Sequence, residues 1–236
     1  MSPREIEIAA NLDRVRQRIA DACRACGRDP GEVLLVGVAK TRPAEDVVAA
    51  VWAGLEDVGE NYAQELAAKA QAVEDAGLRP RWHFLGGLQT NKVKLVLPWA
   101  QVIHSVDRPS LADEVSKRAD PARPVQVFVE VNLAVEASKS GVPAKDAEAL
   151  CRHVLGLPGI LLVGLMAIPP VADDPDAARP WFATLRRLRD DLITSIQPPS
   201  PRIAHLSMGM SGDFEAAIAE GATVVRVGTA LFGRRS

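Results

Sequence analysis

The chain has 236 residues, of which 47% are hydrophobic and 25% charged, and its formal net charge is −2. This composition is typical of a globular protein with a sizeable core, and it excludes a strongly basic protein that binds nucleic acid or an anionic membrane. The charged N-terminus lacks the apolar core of a signal peptide, and the longest apolar stretch, residues 159–172, contains prolines and is too short to span a bilayer. We therefore expect a cytoplasmic protein.

The three cysteines are too few, and odd in number, for a disulfide framework. Cys23 and Cys26 form a C-x-x-C pair, which in some proteins binds a metal or acts in redox chemistry. Here the pair lies at the end of a predicted helix, before Gly27, with no preceding strand and no second pair of ligands. We interpret it as structural and expect no metal.

The chain begins with a predicted helix. Ser2 is its cap, Pro3 occupies its first position, and Glu5 completes a capping box. Apolar residues then recur at helical spacing until Gly27 ends the helix. Short apolar runs that predict strands cover residues 33–39, 55–59, 82–86, 101–104, 125–133, 160–167, 203–207 and 223–227. Predicted helices cover residues 43–53, a segment ending near 76, and residues 90–96, 109–119, 145–155, 177–196 and 214–219.

This alternation of strands and helices predicts an α/β fold with a parallel sheet and right-handed crossovers. Eight units in about 200 residues fit a single (β/α)8 TIM barrel with an extra N-terminal helix. An open, doubly wound sheet is the alternative. Because the sequence shows no internal linker or low-complexity segment, we expect one domain over residues 1–236.

Lys40 ends the first predicted strand, shortly before a helix start marked by Pro43. In parallel α/β proteins, ligands bind at the C-terminal ends of the strands. A lysine among apolar neighbours is more easily deprotonated, so Lys40 is a candidate for forming a Schiff base. The alternative is a lysine that extends from the strand end into water.

Other candidate residues follow the remaining strands, which places them at the same end of a barrel. The loop at residues 207–213 is rich in glycine and opens a helix, so its backbone could approach an anion. Ser211 could donate to a phosphate oxygen, and Gly228 with Thr229 offers a second open backbone and hydroxyl nearby. The alternative is that Ser211 and Asp213 merely start a helix. The loops after the last two strands form the usual phosphate site of such barrels.

Arg226 lies within the last predicted strand, among apolar residues. It could form a buried structural ion pair, or it could face the nitrogen of a heterocycle. Because an arginine keeps its proton, a pyridine nitrogen facing it stays unprotonated and the ring is a weak electron sink. A lysine for an imine, a phosphate site and such an arginine together indicate pyridoxal 5'-phosphate (PLP).

The chain resembles the pyridoxal phosphate homeostasis proteins, a family similar to the barrel domain of bacterial alanine racemase. The resemblance rests on motifs spread over the whole chain, at residues 38–41, 59–65, 83–92, 130–141, 164–169, 206–213 and 225–233. It includes the sequences GENYAQE at 59–65 and HFLGGLQTNK at 83–92.

The resemblance implies that Lys40 carries PLP as an imine and that Arg226 faces the ring nitrogen. It also implies that Ser211, Gly228 and Thr229 hold the phosphate. Together with the other strand-end residues, the predicted cofactor-binding set is Lys40, Asn61, Met166, Ser207, Met208, Ser211, Arg226, Gly228 and Thr229.

Three functions are compatible with such a site. The favoured one is a non-catalytic carrier or regulator in PLP homeostasis, which works as a monomer and serves PLP-dependent apoenzymes. The second is a PLP-dependent amino-acid racemase, which needs a second proton acceptor opposite Lys40; the only tyrosine is Tyr62, and the candidate histidines are His83, His104 and His205. The third is a Schiff-base aldolase using Glu60 or Glu130.

The racemase and aldolase hypotheses each leave a feature unexplained. In racemases, the second acceptor is a tyrosine that depends on a further domain and a partner subunit, and we expect no such domain here. An aldolase would leave Arg226 without a role. Lys139 could be a second amine that accepts or relays the aldehyde, or simply a solvated loop residue.

Overall fold

The computed structural model describes residues 1–134, 140–170, 174–196 and 203–234. Its strands are β1 (Leu34–Val38), β2 (Asp57–Glu60), β3 (Arg81–Phe84), β4 (Ala100–Val106), β5 (Val125–Asn132), β6 (Val142–Pro143), β7 (Ile160–Met166), β8 (His205–Ser207) and β9 (Val224–Val227). Its helices are α1 (Pro3–Ala25), α2 (Ala44–Trp52), α3 (Ala63–Asp75), α4 (Val93–Val96), α5 (Pro109–Arg118), α6 (Ala147–Leu155), α7 (Arg179–Ser195), α8 (Phe214–Ala219) and α9 (Thr229–Phe232). Within these ranges, no helix combines the length and the apolar composition needed to cross a membrane.

Eight parallel strands close into a barrel, which confirms the predicted (β/α)8 fold and excludes the open sheet. Each strand pairs with the next along the chain, except that β5 pairs with β7 and the two-residue β6 lies outside the ring, beside β5. The decisive pair is β1 with β9, where Leu34 is in register with Val224 and Val36 with Arg226. This pairing joins the first strand to the last.

The N-terminal helix α1 begins as the sequence predicts. The Ser2 hydroxyl accepts a hydrogen bond from the Glu5 backbone N–H, and the Glu5 carboxylate accepts one from the Ser2 N–H. The apolar face of α1 is buried outside the ring, where the helix contacts α2, α8 and α9. The side chain of Asn11 also donates to the carbonyl of Leu231, at 2.9 Å. The helix therefore covers the side of the barrel where the first and last strands meet.

Apolar residues form two layers because side chains alternate between the two faces of a strand. The larger layer lies between the strands and the helices. A smaller cluster fills the inside of the barrel and consists of Val36, Leu85, Val102, Phe128, Val163, Met166 and Val224. Arg226 shares the inward face of β9 with Val224, which sets its side chain under the C-terminal mouth of the barrel.

Three of the differences between the structure and the sequence prediction concern short elements. The short strand β6 was not predicted. The last strand is followed by a one-turn helix, α9, where the sequence showed no clear helix. The helix predicted over residues 90–96 begins as a 3₁₀ turn at Thr90–Lys92 and becomes α-helical only at Val93. Elements this short carry too few residues for a periodic pattern.

Candidate functional site

A cavity of about 310 Å³ opens at the C-terminal end of the barrel. This is the end at which TIM barrels carry their binding and catalytic residues. The residues that line it come from β1 and β9 themselves and from the segments that follow β1, β2, β3, β7, β8 and β9. They are Val38, Lys40, Arg42, Asn61, Leu85, Ile168, Met210, Ser211, Gly212, Arg226, Gly228 and Thr229.

Six of the predicted residues line this cavity: Lys40, Asn61, Ser211, Arg226, Gly228 and Thr229. The other three do not. Met166 packs in the apolar cluster inside the barrel, and Met208 packs in the outer layer between strands and helices. Ser207 is fully buried and hydrogen-bonds to Arg226.

The predicted set omits the other half of the lining, although Met210 and Gly212 lie in the glycine-rich loop at residues 207–213 that the sequence indicates as an anion site. The remaining residues, which the sequence reasoning missed, are Val38, Arg42, Leu85 and Ile168. A signal existed for Val38, which precedes Lys40 by two residues and so points to the same face of the strand. No comparable signal marks Ile168, a residue that is 42% exposed.

Lys40 is carried on a strained turn. The next residue, Thr41, has a φ of 63°, a left-handed conformation that is uncommon for a β-branched residue. The backbone N–H of Thr41 donates to Glu65 Oε2 at 2.8 Å, and the carbonyl of Ala39 accepts from Lys69 Nζ at 2.7 Å. Both residues that flank Lys40 are therefore held by side chains of α3.

Lys69 in turn forms ion pairs with two carboxylates. Its Nζ lies 2.5 Å from Glu60 Oε1 and 2.8 Å from Glu65 Oε2. Glu60 is fully buried, and burial raises the pKa of its carboxyl although Lys69 acts against the shift. This cluster lies on the outer side of the Lys40 turn, since Glu60 is not among the residues that line the cavity.

Arg226 is buried with its guanidinium held by hydrogen bonds. Nη1 donates to the carbonyl and to the hydroxyl of Ser207, at 2.7 and 2.6 Å, and Nη2 donates to the carbonyl of Ala167 at 3.0 Å. Burial lowers the pKa of Arg226 to about 10, and the charges of Glu130 and Asp213 oppose that shift. Arg226 therefore stays cationic at neutral pH. Within the described residues it makes no direct ion pair, so the structural ion pair considered from the sequence is not what holds it.

Ser211 joins the loops that follow β8 and β9. Its Oγ accepts hydrogen bonds from the backbone N–H groups of Gly228 and Ala230, each at 3.2 Å. Because both bonds use oxygen lone pairs, the hydroxyl proton can still be donated to a ligand. Asp213 accepts from the backbone N–H of Met210 at 2.6 Å and does not line the cavity. Its charge is therefore directed into its own loop.

Asn61 contributes an unsatisfied acceptor. Its Oδ1 is buried and has no hydrogen-bond partner in the described part of the chain. A buried polar atom in this state is costly, so it marks a position where a ligand can supply a donor. The backbone of Asn61 is fixed by Gly86, where an added Cβ would lie 2.2 Å from the Asn61 carbonyl oxygen.

The charges around the cavity favour an anion. Lys40, Arg42 and Arg226 line it, and the residues identified as its lining in the described ranges include no carboxylate. Those residues also offer a primary amine, two hydroxyls and an unsatisfied amide oxygen. The site is suited to a small anionic ligand with a carbonyl group that an amine can attack.

Residues 8–236 match the sequence profile of the family described as "Alanine racemase, N-terminal domain". The protein is therefore a barrel of the alanine-racemase type. A crystal structure of alanine racemase from Corynebacterium glutamicum superimposes with a TM-score of 0.73 and 15% identity, covering 98% of this chain and 62% of that one. At that identity the similarity concerns the fold alone.

Closer relatives define the family more narrowly. The pyridoxal phosphate homeostasis protein of Aquifex aeolicus is 46% identical over 225 residues, covering 95% of this chain and 96% of the relative. The structure of PipY from Synechococcus elongatus, with PLP bound, superimposes with a TM-score of 0.83 and 34% identity, covering 96% of this chain and all (100%) of that one. The chain belongs to the pyridoxal phosphate homeostasis protein family, which confirms the resemblance found in its sequence.

Proposed function

We propose that this protein binds PLP in the cavity at the C-terminal mouth of the barrel, holds it as a Schiff base on Lys40, and acts as a carrier or regulator in PLP homeostasis. The observation that carries the proposal is that Lys40 and Arg226 face one cationic cavity from the ends of adjacent strands. The PLP-bound structure of PipY, a relative that is 34% identical, supports it.

The cavity offers a partner for each functional group of the cofactor. PLP supplies an aldehyde that reacts with amines, a phosphate, and a pyridine ring that can draw electrons from a bound amino acid. The Lys40 Nζ would add to the aldehyde carbon, and water would leave as the C=N bond forms. The Ser211 hydroxyl, with Gly228 and Thr229, would hold the phosphate.

Arg226 and Asn61 would orient the ring. Nη1 of Arg226 already uses both of its hydrogens and Nη2 uses one, so other guanidinium N–H groups remain for the cavity that this residue lines. A donor that keeps its proton leaves the ring nitrogen unprotonated and the electron sink weak. The unsatisfied Asn61 Oδ1 would accept a hydrogen bond from the bound molecule.

A carrier is favoured over a racemase because, among the described residues, no second proton acceptor lines the cavity. Apart from Lys40, the identified lining residues in the described ranges include no tyrosine, histidine or carboxylate. Tyr62 is 53% exposed. Tyr62, His83 and His104 are not among the identified lining residues. The aldolase alternative is disfavoured for a similar reason, since neither Glu60 nor Glu130 is among the identified lining residues and Glu60 is also engaged by Lys69.

The test is an absorption spectrum of the purified protein with PLP, followed by addition of amino acids. We expect a visible imine band that borohydride reduction traps on Lys40, and no racemised, decarboxylated or transaminated product. Lys40→Ala should abolish the band, whereas Lys94→Ala, on the exposed surface of α4, should retain it. An imine trapped at another lysine would refute the assignment of Lys40, and turnover of an amino acid would refute the carrier.

Some properties expected from the sequence stay predictions: the cytoplasmic location, the monomeric state, the single domain over residues 1–236, and transfer of PLP to apoenzymes. Lys139 lies outside the described residues.

A further inference from the structure

A chain of hydrogen bonds crosses the inside of the barrel beneath the cavity. We call it the relay; it consists of Arg226, Ser207, His104, His83 and Asp57. Arg226 Nη1 lies 2.6 Å from Ser207 Oγ, and Ser207 Oγ lies 2.8 Å from His104 Nδ1. His104 Nε2 lies 2.8 Å from His83 Nδ1, and His83 Nε2 lies 2.8 Å from Asp57 Oδ1.

The members of the relay are buried and supported on several sides. His104 and Ser207 are fully buried and His83 is 1% exposed. The His104 ring stacks on Phe128, with centroids 4.5 Å apart and planes inclined by 23°. At the far end, Arg81 Nε donates to Asp57 Oδ1 at 2.5 Å.

The chemistry of the two ends determines the direction of every bond. Burial disfavours the ionised form of Asp57, but hydrogen bonds from His83 and Arg81 outweigh it and lower the pKa, so Asp57 is a carboxylate that only accepts. His83 must therefore carry a proton on Nε2. Burial lowers the pKa of His83, so its ring is neutral and Nδ1 accepts a hydrogen bond from His104.

The same reasoning determines the directions of the hydrogen bonds from His104 to Arg226. Burial is the main cause that lowers the pKa of His104 well below its usual value, so this ring is also neutral. With its proton on Nε2, its Nδ1 accepts from the Ser207 hydroxyl. Ser207 Oγ then has lone pairs directed at Arg226, which only donates.

We propose that His104 and His83 are positioning residues that act through Ser207 to hold the Arg226 guanidinium in place at the cavity. The relay runs in one direction, from the Arg226 cation to the Asp57 carboxylate, and each member donates to the next. If His104 carried its proton on Nδ1 instead, this Nδ1–H would compete with Arg226 for the lone pairs of Ser207. The unprotonated Nε2 of His104 would then face the unprotonated Nδ1 of His83. The role of Arg226 toward PLP rests on the proposed function; the direction of the relay does not.

The direction is tested without any ligand, by long-range ¹H–¹⁵N NMR of the full chain labelled at its 4 histidines. At pH 7, we expect His83 and His104 both to be neutral, with the proton on Nε2 and a bare Nδ1. His153, which pairs with Asp113 on the surface, is the reference signal. A proton on Nδ1 of His104, or a charged imidazole at either buried position, would overturn the inference.

The effect on the cavity is tested with two buried serines. Ser207→Ala removes the hydroxyl that connects His104 to Arg226, whereas Ser105→Ala removes an equally buried hydroxyl that has no hydrogen-bond partner among the described residues. We expect Ser207→Ala to shift the His104 ¹⁵N signals, weaken PLP binding about tenfold and move the pH titration of the imine band. Ser105→Ala should change none of these.

The outcomes separate the two proposals. If the wild-type protein forms no imine with PLP, the proposed function fails while the tautomers still report on the relay. If the wild-type protein binds PLP, and Ser207→Ala matches Ser105→Ala in affinity, in the titration of the band and in the His104 signals, the relay does not position Arg226. If Ser207→Ala does not fold, the tautomers of the wild-type histidines decide.

Discussion

Lys69 of α3 and Glu60 at the end of β2 form an ion pair, 2.5 Å between Nζ and Oε1, with side chains that are 8% and 0% exposed. The pair also binds the backbone that carries Lys40, because the same Nζ donates to the carbonyl of Ala39. Removal of one partner from a buried pair leaves an uncompensated charge. The ion pair therefore couples the stability of the barrel to the placement of Lys40.

We expect Lys69→Met to lower the free energy of unfolding by about 3–5 kcal/mol and to slow imine formation at Lys40. The loss should be smaller at pH 5 than at pH 8, because the unpaired Glu60 can take up a proton at the lower pH. Urea unfolding at both pH values and the rate of appearance of the imine band test this. Lys94→Met, at an exposed position, is the control, and equal stabilities of the two variants would contradict the role of the pair.

The phosphate assignment predicts a selective loss. The double substitution Ser211→Ala and Thr229→Ala should weaken binding of PLP much more than binding of pyridoxal, because only PLP carries the phosphate. Equilibrium titrations of both aldehydes measure the two affinities, with Ser110→Ala on exposed α5 surface as the control. Equal losses for PLP and pyridoxal would place the phosphate elsewhere.

The buried carboxyl of Glu130 should make the free energy of unfolding depend on pH. It is 7% exposed on β5, and burial, together with the charge of Asp107, raises its pKa to about 7 although Arg226 acts against the shift. Because the folded pKa lies above the unfolded one, its contribution to stability is complete below the unfolded pKa, near 4.3, and is lost as the pH rises through about 7.

The variant Glu130→Gln keeps the side chain neutral at every pH. We expect its free energy of unfolding, relative to the wild-type protein, to increase by on the order of 2 kcal/mol between pH 5 and pH 8.5. Urea unfolding of both proteins at the two pH values measures this difference. A difference that does not vary with pH would show that Glu130 titrates normally in the folded state.

Two neighbouring glycines provide a test of the Asn61 position. A Cβ at Gly86 would lie 2.2 Å from the carbonyl oxygen of Asn61, whereas a Cβ at Gly87 would meet, among the described residues, only the Ser140 hydroxyl, at 3.4 Å. Gly86→Ala must therefore displace the end of β2, and we expect it to lower the free energy of unfolding by about 1–3 kcal/mol and to weaken PLP binding. Gly87→Ala should leave both quantities near their wild-type values, and identical behaviour of the two variants would refute the steric argument.

Local features made much of the fold predictable. The capping box of α1 and the apolar runs of the barrel strands depend on residues close together in the chain, and the structure contains both. The C-terminal ends of parallel strands lie at one edge, so the sequence could also place Lys40, Asn61 and Arg226 together without any knowledge of closure. Met208 was misplaced toward the site because it extends β8 with its side chain on the outer face.

The sequence by itself therefore determined the order of strands and helices, the family, and the end of the barrel at which Lys40 and Arg226 lie. Only the tertiary structure decided that β9 closes onto β1, that Lys69 binds the turn of Lys40, and that His104 and His83 connect Ser207 to Asp57. The reason is physical: periodicity and capping act over a few residues, whereas these contacts join residues far apart in the chain, such as His104 and Ser207, which are 103 positions apart, and they form only in the folded barrel.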